Sequence, residues 1–134
     1  MDDIRKILDV IFPFVERLLK EYGEFYPLSC AINVNNQVEH ILLEENEDND
    51  FPASTSVIEE LKKALRSRRD DFFAIAVFYD VELKEEKTSA IAVFVEHRIE
   101  RLAYTFYFPY ELNEGDLILG ESWKVINETD IFED

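Results

Sequence analysis

The sequence predicts an α+β domain in which a five- or six-stranded antiparallel sheet carries two helices on one face. Three observations lead there. Two stretches repeat apolar residues at helical spacing, Asp3 to Tyr22 and Ser56 to Arg69. Three long runs rich in β-branched and aromatic residues, Phe72 to Leu83, Ser89 to His97 and Leu102 to Phe108, follow one another with only short polar breaks. Strands that arrive in hairpins without intervening helices pair antiparallel, which leaves the helices to share a face.

The first helix sets Ile4, Ile7, Leu8, Ile11, Phe14, Val15, Leu18, Leu19 and Tyr22 on one broad stripe. Pro13 lies inside it and is expected to kink or split it, because proline lacks the N–H and its ring clashes with the preceding turn. Gly23 stops it at a left-handed C′ position. Phe25 to Val34 then reads as a strand and Gln37 to Leu43 as its return, joined by a two-residue turn at Asn35-Asn36. Glu44 to Asp50, almost wholly acidic, reads as a solvated loop. In the second helix Ser56 is the expected N-cap, with Glu59 closing a capping box. Val57, Ile58, Leu61, Ala64 and Leu65 form its buried face, and Arg66, Arg68 and Arg69 suit the negative end of its dipole.

In the second half Lys84 to Thr88 is a hairpin loop and Arg98 to Arg101 holds the next turn. Pro109 removes a ladder donor and is expected to end the third run. Ser122 to Ile126 makes a last short strand before an acidic tail. No linker or repeat divides the chain, so residues 1–134 read as a single domain.

Composition excludes several functions. Thirty acidic against 14 basic residues give a formal charge of −16, which repels phosphate backbones and anionic lipid, so neither direct nucleic-acid binding nor membrane attachment is expected. The aromatic run Tyr104, Phe106, Tyr107, Phe108 and Tyr110 lacks the surrounding bases of a nucleobase platform and reads as core. The charged N-terminal turn provides no signal peptide or membrane span. With only three glycines, no phosphate-cradling loop can be built, and no cofactor is expected. Lone Cys30 reads as an inert core thiol, which fits a reducing, cytoplasmic location.

The candidate catalytic or metal-binding residues are Asp80, Glu82, Glu96 and His97, whose oxygen and imidazole donors suit a divalent ion or an acid–base pair if strand ends bring them to one rim. Against that, Glu96 and His97 are successive residues and point to opposite faces of a regular strand. His40 is expected to be partly buried and hydrogen-bonded. The strands Phe72 to Leu83 and Ser89 to His97 are apolar in both alternation phases. Two helices on one face leave the other to be covered by the chain's ends, by curling of the sheet or by another subunit, and the prediction is a homodimer with Phe78, Phe94 or Tyr107 near its centre.

Several short segments resemble a group of small uncharacterised bacterial α+β proteins. They are Gly23-Glu24-Phe25-Tyr26-Pro27, Asp80-Val81, Ser89-Ala90-Ile91, Glu96-His97 and Pro109-Tyr110. Arg98-Ile99 departs from the Asp-Gly expected in that group. The resemblance implies a single bacterial domain and no particular activity. Charge and motifs together point first to a non-catalytic interaction protein of the immunity, inhibitor or adaptor kind, with a basic partner. A small metal-dependent hydrolase and a nucleic-acid-mimicking regulator are the alternatives.

Overall fold

The computed structural model describes residues 2–41, 54–83, 87–114 and 116–132. Helix α1 spans Asp2–Tyr22 and α2 Ser54–Ser67, with a 3-10 turn at Arg69–Asp71. The strands are β1 (Leu28–Asn33), β2 (Val38–Ile41), β3 (Phe72–Leu83), β4 (Thr88–His97), β5 (Leu102–Asn113), β6 (Asp116–Leu119) and β7 (Trp123–Ile126). They form one antiparallel sheet in the order β2-β1-β3-β4-β5-β6, with β7 also on β5. The α+β class with an antiparallel sheet is as the sequence predicts.

The helices, however, lie on opposite faces, not together. Ile4, Ile7, Ile11, Val15 and Leu19 of α1 pack with Cys30, Ala74, Ala76, Phe78, Val93 and Val95. Leu61 and Leu65 of α2 pack instead with Ala31, Phe72, Ile75, Val77 and Phe94, the alternate residues of the same strands. The reason lies in the chain path. Because β1 is antiparallel to both β2 and β3, those two run parallel, and α2 joins them by crossing over β1. A crossover helix covers the face it crosses, so α1 is left for the other. Double-sided apolar strands are thus accounted for within one chain: Phe78 is 0% and Phe94 6% exposed, and neither is available to centre a dimer.

Local chemistry explains the remaining departures. Helix α1 runs unbroken through Pro13, where Pro13 and Asp9 are both on its exposed side, so the carbonyl that proline leaves without a donor is not shut into the core. Gly23 has φ 76° and its N–H bonds the Leu19 carbonyl, the expected helix stop. In the β1–β2 turn only Asn36 takes positive φ. The Asn33 side chain accepts the N–H groups of Asn35 and Gln37, and so organises a longer turn than a two-residue hairpin. Helix α2 already includes Ser54, so Ser56 is a helical residue and not the cap. The expected strand end at Leu42 and Leu43, and the acidic loop after it, lie outside the described residues.

Strand β5 continues through Pro109 to Asn113. Gly120 donates to the Pro109 carbonyl, so the missing N–H of Pro109 faces the same outer side, between the pairings of β6 and β7. Leu119 pairs with Tyr110 and Trp123 with Tyr107, so three residues face two. Strands β6 and β7 are therefore one edge strand interrupted by a bulge, which moves Trp123 to the α2 face, where it stacks on Tyr107 at 5.5 Å.

Candidate functional site

The four candidate residues do not converge. On the β3–β4 ladder Asp80 faces Ile91 and Glu82 faces Ser89, whereas Glu96 faces Ile75 and His97 faces Ala74. Asp80 and the Glu96 partner are five residues apart on β3, roughly 17 Å at the usual rise per residue. Parity separates them further: Glu96 is on the α2 face, and Asp80, Glu82 and His97 are on the α1 face. Among the described residues no group of three His, Cys, Asp or Glu is placed to hold a metal ion.

Glu96 and His97 belong to the end of the sheet that holds the β4–β5 turn. Glu96 is 0% exposed, and its carboxylate accepts three successive backbone N–H groups: Ile131 and Phe132 at 2.9 Å each, and Asp130 shared between both oxygens at 3.1 Å. Its charge is met by a concavity of backbone dipoles. Asp130 is held from α2 by Lys62 at 3.6 Å and by Arg66, and Ile131 is buried in the α2-side core. Glu96 thus fastens the C-terminal segment to the sheet. His97 bonds Asp3 Oδ2 through Nε2 at 2.8 Å and accepts the Glu100 N–H at Nδ1, so both ring nitrogens are engaged in tying α1 to the turn. Neither residue has an atom left for substrate.

Asp80 and Glu82 belong to the opposite end, where β3 and β4 meet in their hairpin. On its α1 face β3 changes here from apolar at Ala74, Ala76 and Phe78 to polar at Asp80 and Glu82. There Tyr110 on β5 reaches diagonally across β4 and donates its O–H to Asp80 Oδ1 at 2.7 Å. Ser89 on β4 is the direct cross-strand neighbour of Tyr110. Burial pushes the Asp80 carboxyl above its ordinary range, and the Glu24 charge adds to this against the opposing hydrogen bonds from Tyr110 and Val81. Burial, then the Asp80 bond and charge, also hold the Tyr110 phenol well above normal. The phenol therefore remains a donor at neutral pH and is not poised to exchange its proton.

A cleft of about 480 Å³ opens over this trio, lined by Gly23, Glu82, Lys87, Thr88, Ser89, Tyr110, Glu111, Leu112 and Asn113. It brings together the end of α1, the β3–β4 hairpin and the far end of β5. The sequence pointed to Asp80 and Glu82 but missed Tyr110, Ser89 and Gly23 as their neighbours. Only the register reveals the row Glu82, Ser89, Tyr110 across three strands.

The remaining sequence candidates are structural. Burial pushes the Cys30 thiol up to about 12, so it is inert. His40 is exposed and not partly buried, on β2 at the sheet edge. No helix among the described residues is long and apolar enough to cross a membrane. No family model, curated protein or solved structure matches this chain.

Proposed function

We propose that this chain is a non-catalytic acidic interaction domain, of the immunity, inhibitor or adaptor kind, that receives a basic partner on its hairpin end. One observation carries the reading: acids at the two ends are used differently. At the turn end most are engaged internally, with Glu39 and Asp71 on Arg68, Asp3 on His97, and Asp130 on Lys62 and Arg66, while exposed Asp70 and Glu128 make no ion pair with a described residue. At the hairpin end Glu21, Glu24, Glu82, Glu111, Glu114 and Asp116 are exposed and make no ion pair with a described residue. Like charges gathered on one surface without a described counter-ion repel each other and raise the local potential, and a complementary surface relieves both.

The test is capture of partners from the cells that make the protein, at about 0.05 and about 0.5 M salt, where screening differs strongly. A stoichiometric basic partner retained at low salt and released at high salt is expected. Recovery of none, or binding indifferent to salt, overturns the reading.

Self-association is a second reading, favoured by exposed apolar residues along the β6–β7 edge: Ile118, Leu119, Trp123, Val125 and Ile126. Of the three residues expected at a dimer centre only Tyr107, half-buried beside Trp123, belongs to that edge. Sedimentation equilibrium of the chain and of Trp123→Ser tests it: a dimer that the substitution dissociates is expected, and a monomer up to about 100 μM, the range in which modest interfaces associate, ends it.

A further inference from the structure

Resting on the interaction reading, we infer that the hairpin-end cleft is the receptor for one basic side chain of the partner, with its guanidinium or ammonium group seated beside Glu82 and over the Tyr110–Asp80 pair. The volume, about 480 Å³, is far more than an ion needs and suits a long side chain with part of its backbone. The lining is divided in the way such a side chain is divided. Leu112 and the bare backbone of Gly23, where nothing approaches the space a Cβ would fill, offer contact for an aliphatic stem. Hydroxyls of Thr88 and Ser89, the Asn113 amide and the Glu82 carboxylate offer acceptors for its head group.

The electrostatics point the same way from three separate elements. Glu82 comes from β3, and Glu24, whose charge bears on both Asp80 and Tyr110, comes from the segment after α1. The C-terminal end of the 21-residue α1, which carries the negative end of its dipole, meets the cleft at Gly23. The Tyr110 O–H is directed at Asp80, so this pair does not turn its proton toward an incoming cation. Among the described residues Lys87 is the base on the lining. It has φ 53° and makes no ion pair with a described carboxylate, so a cation can enter without displacing it from one.

The probe is an eight-residue peptide of alternating Arg and Ser, titrated calorimetrically into the full chain at about 0.05 M salt, where exposed charges still act across roughly a Debye length. Glu24→Gln with Glu82→Gln removes the lining carboxylate of β3 and the nearby charge of Glu24, and leaves Glu111 in place. Glu59→Gln with Glu128→Gln, at exposed sites elsewhere, makes the same change in net charge. All four positions are exposed, and thermal unfolding confirms that each double variant keeps its fold. Loss of at least about tenfold in affinity for the cleft variant, against less than about twofold for the control, is expected, as charge-assisted contacts differ in that way from diffuse attraction. Amide shifts at Gly23, Ser89 and Tyr110 should accompany binding. Equal losses in both variants, or shifts confined to other residues, overturn the cleft and leave the acidic-surface reading intact. A basic partner recovered from cells whose binding survives the cleft variant does the same. Discriminating peptide binding with no cellular partner supports the cleft as a cation receptor and removes the wider reading.

Discussion

The two ends of the β3–β4 ladder carry an acidic residue each, and the protein treats them in opposite ways. Glu96 is withdrawn from water and supplied with three backbone N–H groups, and its segment is overlaid by α2. Asp80 is half-buried at a cleft mouth, supplied with one phenol and one amide, and set near the like charge of Glu24. The first environment satisfies its carboxylate and the second leaves it short of positive charge. Burial therefore does not by itself mark a functional acid; what marks it is burial without full compensation.

The sharpest way to break this contrast is at Glu96. Glu96→Ala leaves three amides with no acceptor unless the C-terminal segment undocks, and undocking exposes Ile131; a loss of about 3–5 kcal/mol is expected. Urea denaturation measures the loss, and hydrogen exchange should show the amides of residues 130–132 unprotected first. If Glu96→Ala costs no more than Asp80→Ala, the two ends do not differ as argued.

Next in size is Ile131→Ala, which keeps the amide clasp and empties the α2-side slot; about 2–4 kcal/mol is expected for a fully buried isoleucine. A cost below about 1 kcal/mol, the level of surface substitutions, would mean that the clasp alone holds the segment. At the other end Tyr110→Phe removes the donor to Asp80 without opening a cavity, and a smaller loss of about 1 kcal/mol is expected, the usual worth of one hydrogen bond. The same substitution should weaken binding of the Arg-Ser peptide, whereas Ile131→Ala should leave it unchanged wherever the chain is folded.

Much of this architecture is legible in local sequence, because each element has its own signal. Helix α1 ends where Gly23 supplies a left-handed residue, β3 occupies the run Phe72–Leu83, and the turn lies at residues 98–101, where Arg101 takes φ 53°. What is not legible is whatever depends on chain path. Apolar residues in both phases of β3 state that two covers are needed, but not that α2 provides the second by crossing β1. The one-residue bulge near Gly120 decides which face Trp123 joins, yet nothing between Leu119 and Trp123 announces it. The candidate site failed for the same reason. Asp80, Glu82, Glu96 and His97 are all polar ends of apolar runs, and only the register shows that one pair sits at each end of the ladder. Tyr110 looked like one more aromatic in a core run, and its role rests on a partner 30 residues away.

The smallest expected effect is also the one whose sign carries the most information. Asp80 has a folded-state carboxyl value raised above its ordinary 3.8, first by burial and then by Glu24, against the hydrogen bonds from Tyr110 and Val81. A raised value means that the folded chain holds the proton more firmly than the unfolded chain does. The contribution to stability is then complete below the ordinary value and is lost as pH rises through the raised one. At neutral pH the ionised Asp80 is thus a drag on the fold, limited by solvent screening to within about 1 kcal/mol. Asp80→Asn keeps an oxygen for the Tyr110 O–H and the Val81 N–H and removes the charge. The variant should be slightly more stable than the parent at pH 7, with the difference closing as pH falls through the raised value and fully closed below about 4, where the unfolded parent is protonated too. Paired urea titrations across that range read the sign directly. An Asp80→Asn chain that is less stable at pH 7 by an amount independent of pH would show the carboxylate to be compensated, and the contrast with Glu96 would collapse. If the sign is as expected, the same variant should bind the basic peptide more weakly while folding better. That opposition is what a carboxylate kept for a cationic ligand, at the expense of the free protein, requires.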